Sequence, residues 1–364
     1  MRKDTSQKAT GAADRRDSAG TLVELARAEE RRGEPMEALA HYGEALELLG
    51  DAHEPDRADV VRWMGTVRRE HGDTSQAEEL YKESLAISEA CDYRAGQAHA
   101  MNCLAIVAQR RGDVDGASKL YRRGARLASE AGEHRLSGMI EQNLGVLSNI
   151  RGDLDGAYVR YRAALVAFEA AEDREGMSWV LNNIGMLHTD MGRFDDARAS
   201  LSRGLEIATE RGDLKMEGLC HLNLAESFIT EGRLEDADEP CQRALAISIR
   251  RGDSLRRAAA LKFLGVLDRE RGRYAQATER YRSALQLARE GEDTLLEAEI
   301  LREIGTLHRL QQHTSEARWN WEQSASLFHS IDASIDAAAV EADLEALPAP
   351  GPTEPSAFEH RGTP

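Results

Sequence analysis

Features typical of disulfide-rich, secreted or membrane proteins are scarce in this chain of 364 residues. It has four cysteines and no Cys-x-x-Cys pair, so we interpret the cysteines as small apolar core residues in a reducing cytosol. No uncharged run reaches the roughly 18 residues that a membrane span needs. The basic N-terminal residues are not followed by the apolar core of a secretory signal. These absences predict a cytoplasmic protein that does not bind membranes.

Sequence patterns that support catalysis or metal binding are also missing. The chain has no Gly-Lys-Ser/Thr phosphate-binding loop, no Gly-x-Ser-x-Gly, no His-Glu-x-x-His and no Cys/His cluster. We therefore expect no enzymatic activity, no cofactor and no metal. A formal net charge of -17 would repel phosphate backbones, so we do not expect nucleic acid as a partner.

The chain does contain a pattern that recurs about every 40 residues between residues 21 and 330. Its anchor is a glycine, replaced by Gln312 in the last copy, and the glycines are Gly33, Gly72, Gly112, Gly152, Gly192, Gly232 and Gly272. An alanine follows five residues later in every copy, at Ala38, Ala77, Ala117, Ala157, Ala197, Ala237, Ala277 and Ala317. Such a fixed period is typical of a stacked array of repeats rather than one closed globule.

Each copy is interpreted as two helices. Seven residues before the anchor stands Gly or Ala, and apolar residues at spacings of four and three, such as Val180, Ile184 and Leu187, form one stripe of the first helix. The anchor glycine is expected to end this helix in a left-handed conformation. The second helix carries the alanine and then, four residues later, a large side chain in most copies, such as Tyr161. We expect the small residues to form a tightly packed seam between the helices.

The pattern of Leu144-Gly145, Gly152, Ala157 and Tyr161 resembles the tetratricopeptide repeat, in which Leu-Gly marks the first helix and Ala-x3-Phe the second. The resemblance covers residues 21 to 330 in eight copies. The period exceeds the family's usual value of about 34 residues, and the closing proline is missing. Units of 40 residues look most like those of kinesin light chains and of helical sensor regions in bacterial regulators. The resemblance implies an all-α fold, a right-handed α-solenoid of eight helix-turn-helix repeats.

Composition outside the repeats predicts the ends of the chain. Residues 1-20 are polar and are expected to be a disordered tail. The repeats are expected over 21-332, and residues 333-347 alternate apolar and acidic side chains as a C-terminal capping helix would. Residues 348-364 are rich in proline and are expected to be disordered.

The resemblance also implies a binding site, because in this family the first helices line a concave groove. The side-chain amides carried over to that groove are Asn102, Gln142, Asn143, Asn182, Asn183 and Asn223. Basic flanks would come from Arg62, Lys262 and Arg302, and an apolar pocket from Trp179 and Met186. Kinesin-light-chain-like repeats hold a peptide with asparagines that Asn143, Asn183 and Asn223 match. An amide offers both a donor and an acceptor to an extended peptide, but bracing of neighbouring helices is an equally physical alternative.

The expected function is therefore a non-catalytic protein-protein interaction scaffold. It would bind an extended peptide or partner segment in its groove, as an adaptor or sensor in a signalling or assembly complex. A structural or oligomerisation module is one alternative. The regulatory subunit of a separate enzyme or transcription factor is another.

Overall fold

The computed structural model of the protein describes residues 2–50 and 54–348, with side chains from residue 15 onward. Over these residues the chain consists of helices without a strand, which confirms the expected all-α class. The helices are α1 Arg2–Arg32, α2 Pro35–Leu49, α3 Pro55–Glu70, α4 Thr74–Ala90, α5 Arg94–Arg110, α6 Val114–Glu130, α7 His134–Ile150, α8 Leu154–Ala170, α9 Arg174–Asp190, α10 Phe194–Arg211, α11 Leu214–Glu231, α12 Asp238–Arg251, α13 Ser254–Glu270, α14 Tyr274–Glu290, α15 Thr294–Leu310, α16 Thr314–Ser330 and α17 Ser334–Glu345. Odd-numbered helices from α1 to α15 are the first helices of the copies, and even-numbered helices are the second.

The anchor residues adopt the predicted left-handed backbone. All seven anchor glycines have positive φ, for example 73° at Gly152, and Gln312 follows with φ of 64°. A left-handed residue costs least when it is glycine, and it lets the next N–H, that of Asp153, bond back to Ser148 O at 2.9 Å. The Asp153 side chain then caps α8 by accepting a hydrogen bond from Gly156 N. The predicted helix stop is thus confirmed.

A small residue on the first helix makes room for the large side chain of the second. A Cβ built on Gly145 would lie 2.5 Å from the Tyr161 ring, and one on Gly305 would lie 2.4 Å from Trp321 Cδ1. The eight alanines that follow the anchors are all fully buried. The seam predicted from the small residues is therefore present.

One second helix, α12, begins about a turn later than its equivalents. Residues 234–237 form turns, and α12 starts at Asp238. Pro240 is the reason, because it has no N–H to donate to the carbonyl of Asp236. Starting the helix at Asp238 places Pro240 in the first turn, where no intrahelical donor is required.

The chain forms two compact units, Met1–Val180 and Leu181–Pro364, and the boundary lies within α9. In each unit the first and second helix of a copy pack as a pair, and the second helix then packs on the first helix of the next copy. Successive first helices also touch, for example α5 with α7 and α11 with α13. The α-solenoid packing between neighbours is thus found within each unit. A right-handed course along the whole array stays a prediction.

The N-terminal expectation needs correction. Residues 2–20 belong to α1 and are not a disordered tail: Ala19 is buried, and Arg16 forms an ion pair with Asp56 at 2.5 Å. This stretch has no proline and contains four Ala, three Arg and two Lys, which favour helix, so the first helix extends toward the N-terminus.

The C-terminal part of the array ends on the short helix α17. It occupies the region expected to form a cap, and it buries Ala337 and Val340 against α16. Of the tail expected at 348-364, residues 349–364 lie outside the described residues.

Candidate functional site

The eleven residues predicted to bind a peptide all lie on first helices. Those up to residue 180 belong to the first unit and the others to the second. Their positions are Arg62 on α3, Asn102 on α5, Gln142 and Asn143 on α7, Trp179, Asn182, Asn183 and Met186 on α9, Asn223 on α11, Lys262 on α13 and Arg302 on α15. We use the term first-helix face for the surface that carries them, taken separately in each unit.

Four of the predicted amides form two equivalent pairs between successive first helices. Asn143 Nδ2 donates to Asn102 Oδ1 at 3.1 Å, and Asn223 Nδ2 donates to Asn182 Oδ1 at 2.7 Å. Asn102, Asn182 and Asn223 are only 2 to 7% exposed. These three amides are therefore largely withdrawn from solvent before any peptide binds. The four side chains brace neighbouring helices, which is the alternative considered from the sequence.

The two other amides behave differently. Gln142 and Asn183 are half-buried, and neither side chain makes a hydrogen bond within the part of the chain that the structure describes. In addition, the bracing bonds do not use the side-chain carbonyl oxygens of Asn143 and Asn223. The first-helix face thus keeps both unpaired amides and unused acceptors after the braces are formed.

In the first unit the face continues into a charged and aromatic cluster around Trp63. The Arg27 guanidinium lies 4.0 Å from the centre of the Trp63 ring, and that of Arg62 lies 5.5 Å from it. Asp59 accepts hydrogen bonds from Arg62 at 2.8 Å and from the Tyr93 hydroxyl at 3.2 Å. The predicted residue Arg62 is thus already held by a carboxylate. The i,i+3 spacing of Asp59 and Arg62 was the signal in the sequence that could have revealed this pair.

His99 on α5 lies close to the same charges. Desolvation lowers its pKa to about 4, and the positive charges of Arg62 and Arg135 act in the same direction. Asp59 opposes them. The side chain is only half-buried, but these surroundings keep it neutral at physiological pH.

This low pKa predicts that acid destabilises the protein. Because the pKa of His99 is about 4 when folded and about 6.5 when unfolded, the unfolded state binds the proton more readily, and stability falls as pH drops from about 6.5 toward 4. We expect His99→Gln to lose less stability than the parent between about pH 7.5 and pH 5 in urea unfolding. His134→Gln, which changes an exposed histidine, should behave as the parent. An unchanged pH dependence in His99→Gln would contradict the prediction.

In the second unit the predicted basic residues are paired with carboxylates. Lys262 Nζ contacts Glu299 Oε2 at 2.5 Å. Burial alone would lower the pKa of Lys262, but the charge and hydrogen bond of Glu299 more than offset this effect and raise it. Arg302 lies 3.8 Å from Asp343. Neither Lys262 nor Arg302 is therefore an unpaired cation in the second unit.

The two residues expected to form an apolar pocket differ in exposure. Trp179 is half-buried, whereas Met186 is exposed. Asn182 Nδ2 makes a weak contact with Met186 Sδ at 3.7 Å. This contact positions the thioether beside the bracing pair of Asn182 and Asn223.

Among the described residues, no group of His, Cys, Asp and Glu is arranged to hold a metal ion. No helix in the described ranges combines the length and the apolar character that crossing a membrane requires.

Several solved structures share this fold at low sequence identity. A Rap protein complexed with competence and sporulation factor is 14% identical over 90% of this chain and 97% of its own, with a TM-score of 0.59. The Rap conjugation regulator of plasmid pLS20, in complex with the Phr* peptide, is 16% identical over 74% of this chain and 73% of its own, with a TM-score of 0.55. A signal-transduction ATPase with a tetratricopeptide repeat sensor from Pyrococcus horikoshii is 15% identical over 90% of this chain and 53% of its own, with a TM-score of 0.61.

A comparison with curated proteins finds no match. Family models, in contrast, identify the repeats directly. One tetratricopeptide repeat model matches residues 17–90, 139–210 and 219–290, and a second matches residues 97–131. These matches cover well over half of the sequence, and the pairs of helices have the small-on-large seam expected from the repeat pattern. The chain belongs to the tetratricopeptide repeat family.

Proposed function

We propose that the protein is a non-catalytic scaffold that binds an extended peptide or partner segment on its first-helix face. Repeat arrays of this kind use extended surfaces to hold partners. The observation that carries the proposal is the set of unpaired amides, Gln142 and Asn183, which lie beside the bracing pairs. A half-buried amide without a partner gains a hydrogen bond when a peptide backbone supplies one.

The proposed role is that of an adaptor or sensor in a cytoplasmic signalling or assembly complex. Two structures with the same fold, the Rap protein with competence and sporulation factor and the conjugation regulator with the Phr* peptide, are complexes with a bound factor or peptide. They support the idea that this fold can hold such a segment. The net charge of -17 supports a protein partner over nucleic acid.

The test separates ligand-binding amides from bracing amides. An affinity pull-down with the full chain would first supply the partner segment as a synthetic peptide. Changing Gln142 and Asn183 to Ala should leave the melting temperature unchanged, since neither side chain holds a neighbouring helix by a hydrogen bond. It should weaken peptide binding by roughly 5- to 150-fold, because two neutral hydrogen bonds of about 0.5 to 1.5 kcal/mol each are lost.

The matched comparison is the double variant with Ala at Asn143 and Asn223. It removes the donors of both braces and leaves the buried Asn102 and Asn182 oxygens without a partner, so it should lower the melting temperature. If the Gln142 and Asn183 variant binds the peptide at parental strength, the first-helix face does not hold the ligand. A concentration-dependent change in size without any captured partner would instead favour a structural or oligomerisation module.

A further inference from the structure

The outward face of α6 carries a row of four cations. Lys119, Arg122, Arg123 and Arg126 follow the i, i+3, i+4, i+7 spacing of one helix face, and all four are exposed. None of them forms an ion pair or hydrogen bond with another described residue. This row stands in a chain whose net charge is -17.

The equivalent helix α4 avoids such a row by pairing charges. On α4, Lys82 lies 2.8 Å from Glu78 and 3.0 Å from Glu79. On α6, by contrast, Arg122 and Arg126 are like charges at i,i+4, an arrangement that destabilises a helix. The row therefore costs stability locally without any return from contacts within the described chain.

Beside the row, α8 exposes apolar side chains. Val159 is 64% exposed and Val166 is 60% exposed, two turns apart on the same face of the helix. The corresponding residues on α6 are Lys119 and Arg126, and on α10 they are Ala199 and Glu206. Large apolar side chains at both positions are thus specific to α8 among these three helices.

A cavity of about 240 Å³ connects the two features. It lies between α6, α7 and α8, and both Arg122 and Val159 line it. Two other arginines at the cavity are already paired, Arg151 with Asp115 and Arg160 with Glu141. Arg122 is therefore the lining cation that remains available for a carboxylate from outside.

We propose that this basic-apolar surface, formed by Lys119, Arg122, Arg123, Arg126, Val159 and Val166, docks an acidic amphipathic helix of a partner protein. Carboxylates repeated every three or four residues along such a helix would match the cation row. Its apolar side chains would cover the two valines and remove them from water. The surface belongs to second helices and is separate from the first-helix face.

The apolar part of the surface favours protein over nucleic acid. Phosphate groups would gain nothing from Val159 and Val166, whereas an amphipathic helix would bury them. Binding of single strands also relies on exposed aromatic rings for base stacking. The rings of Tyr121, Tyr161 and Phe168 on α6 and α8 are buried, and Tyr158 is the single aromatic side chain of these two helices that is partly exposed.

The experiment uses the full chain and a labelled helical peptide of about 18 residues, with glutamates and leucines on two adjacent stripes of the helix so that both can meet the surface. Binding is measured by fluorescence anisotropy at about 50 and about 300 mM NaCl. We expect the parent to bind more weakly at the higher salt concentration. Changing Arg122 and Arg126 to Glu should weaken binding by about tenfold or more, because attraction is replaced by repulsion. Val159→Asp should also weaken it.

The matched control is a change of Arg243 and Arg250 to Glu on α12. These residues are exposed on another second helix, and the variant has the same net charge as the α6 variant. It should alter binding by less than about twofold. Equal losses in both variants would show non-specific attraction and overturn the proposal. The proposal would also be overturned if a scrambled, non-amphipathic peptide bound as well as the original. It would be overturned as well if the parent bound a DNA duplex more tightly than the peptide and the α6 variant lost that DNA binding.

Discussion

Replacing Trp321 with Ala should lower the free energy of unfolding by about 3 to 5 kcal/mol, the usual cost of removing a buried aromatic side chain. Trp321 is 1% exposed and packs against Gly305 of the preceding helix. Its Nε1 donates a hydrogen bond to the Arg302 carbonyl at 3.0 Å, so the variant loses that bond as well as the packing. Because contacts in a repeat array run between neighbours, α15 to α17 should unfold first.

Trp319 on the same helix provides the control. It is 40% exposed, so Trp319→Ala should cost less than about 1 kcal/mol. Urea unfolding followed by circular dichroism would measure both variants. Equal stability of the two variants would mean that the pairing of α15 with α16 is misassigned.

Replacing Ala157 with Leu should destabilise the seam of the fourth copy by about 1 to 3 kcal/mol, because extra atoms are forced into a packed interface. Ala157 is fully buried. The close approach of the helices is visible in the next copy, where a Cβ on Gly185 would lie 3.2 Å from the carbonyl oxygen of Ala197. When the two helices lie this close together, there is no room for a branched side chain at the alanine position.

The matched substitution is Ala163→Leu on the same helix. Ala163 is exposed, so the added atoms meet solvent and stability should stay within about 0.5 kcal/mol of the parent. Urea melts of the two variants would compare the buried and exposed positions directly. If Ala157→Leu were as stable as the parent, the prediction of a tightly packed seam at Ala157 would be contradicted.

Local rules in the sequence determined the helices and their pairing. A glycine at a fixed phase ends each of the first seven first helices, because the left-handed backbone costs least there. Periodic apolar residues decide which face is buried, and the small residue opposite a Tyr or Trp decides how closely two helices approach. These effects act within one copy, so they can be predicted from one copy and repeated along the chain. The extension of α1 to Arg2 escaped prediction, because the segment has no apolar periodicity and the helix propensity of its residues is only a weak signal by itself.

The partners of the polar side chains were decided only by the tertiary structure. Asn143 and Asn102 are 41 residues apart, and their bond exists because α5 and α7 pack side by side. The sequence placed an amide at each position but left open whether it would meet a peptide or another amide, since both offer the same donors and acceptors. The same holds for Lys262, whose charge is paired with Glu299 across two first helices. A hydrogen bond or ion pair depends on distances of about 3 Å between groups far apart in the chain, and only the packed helices set those distances.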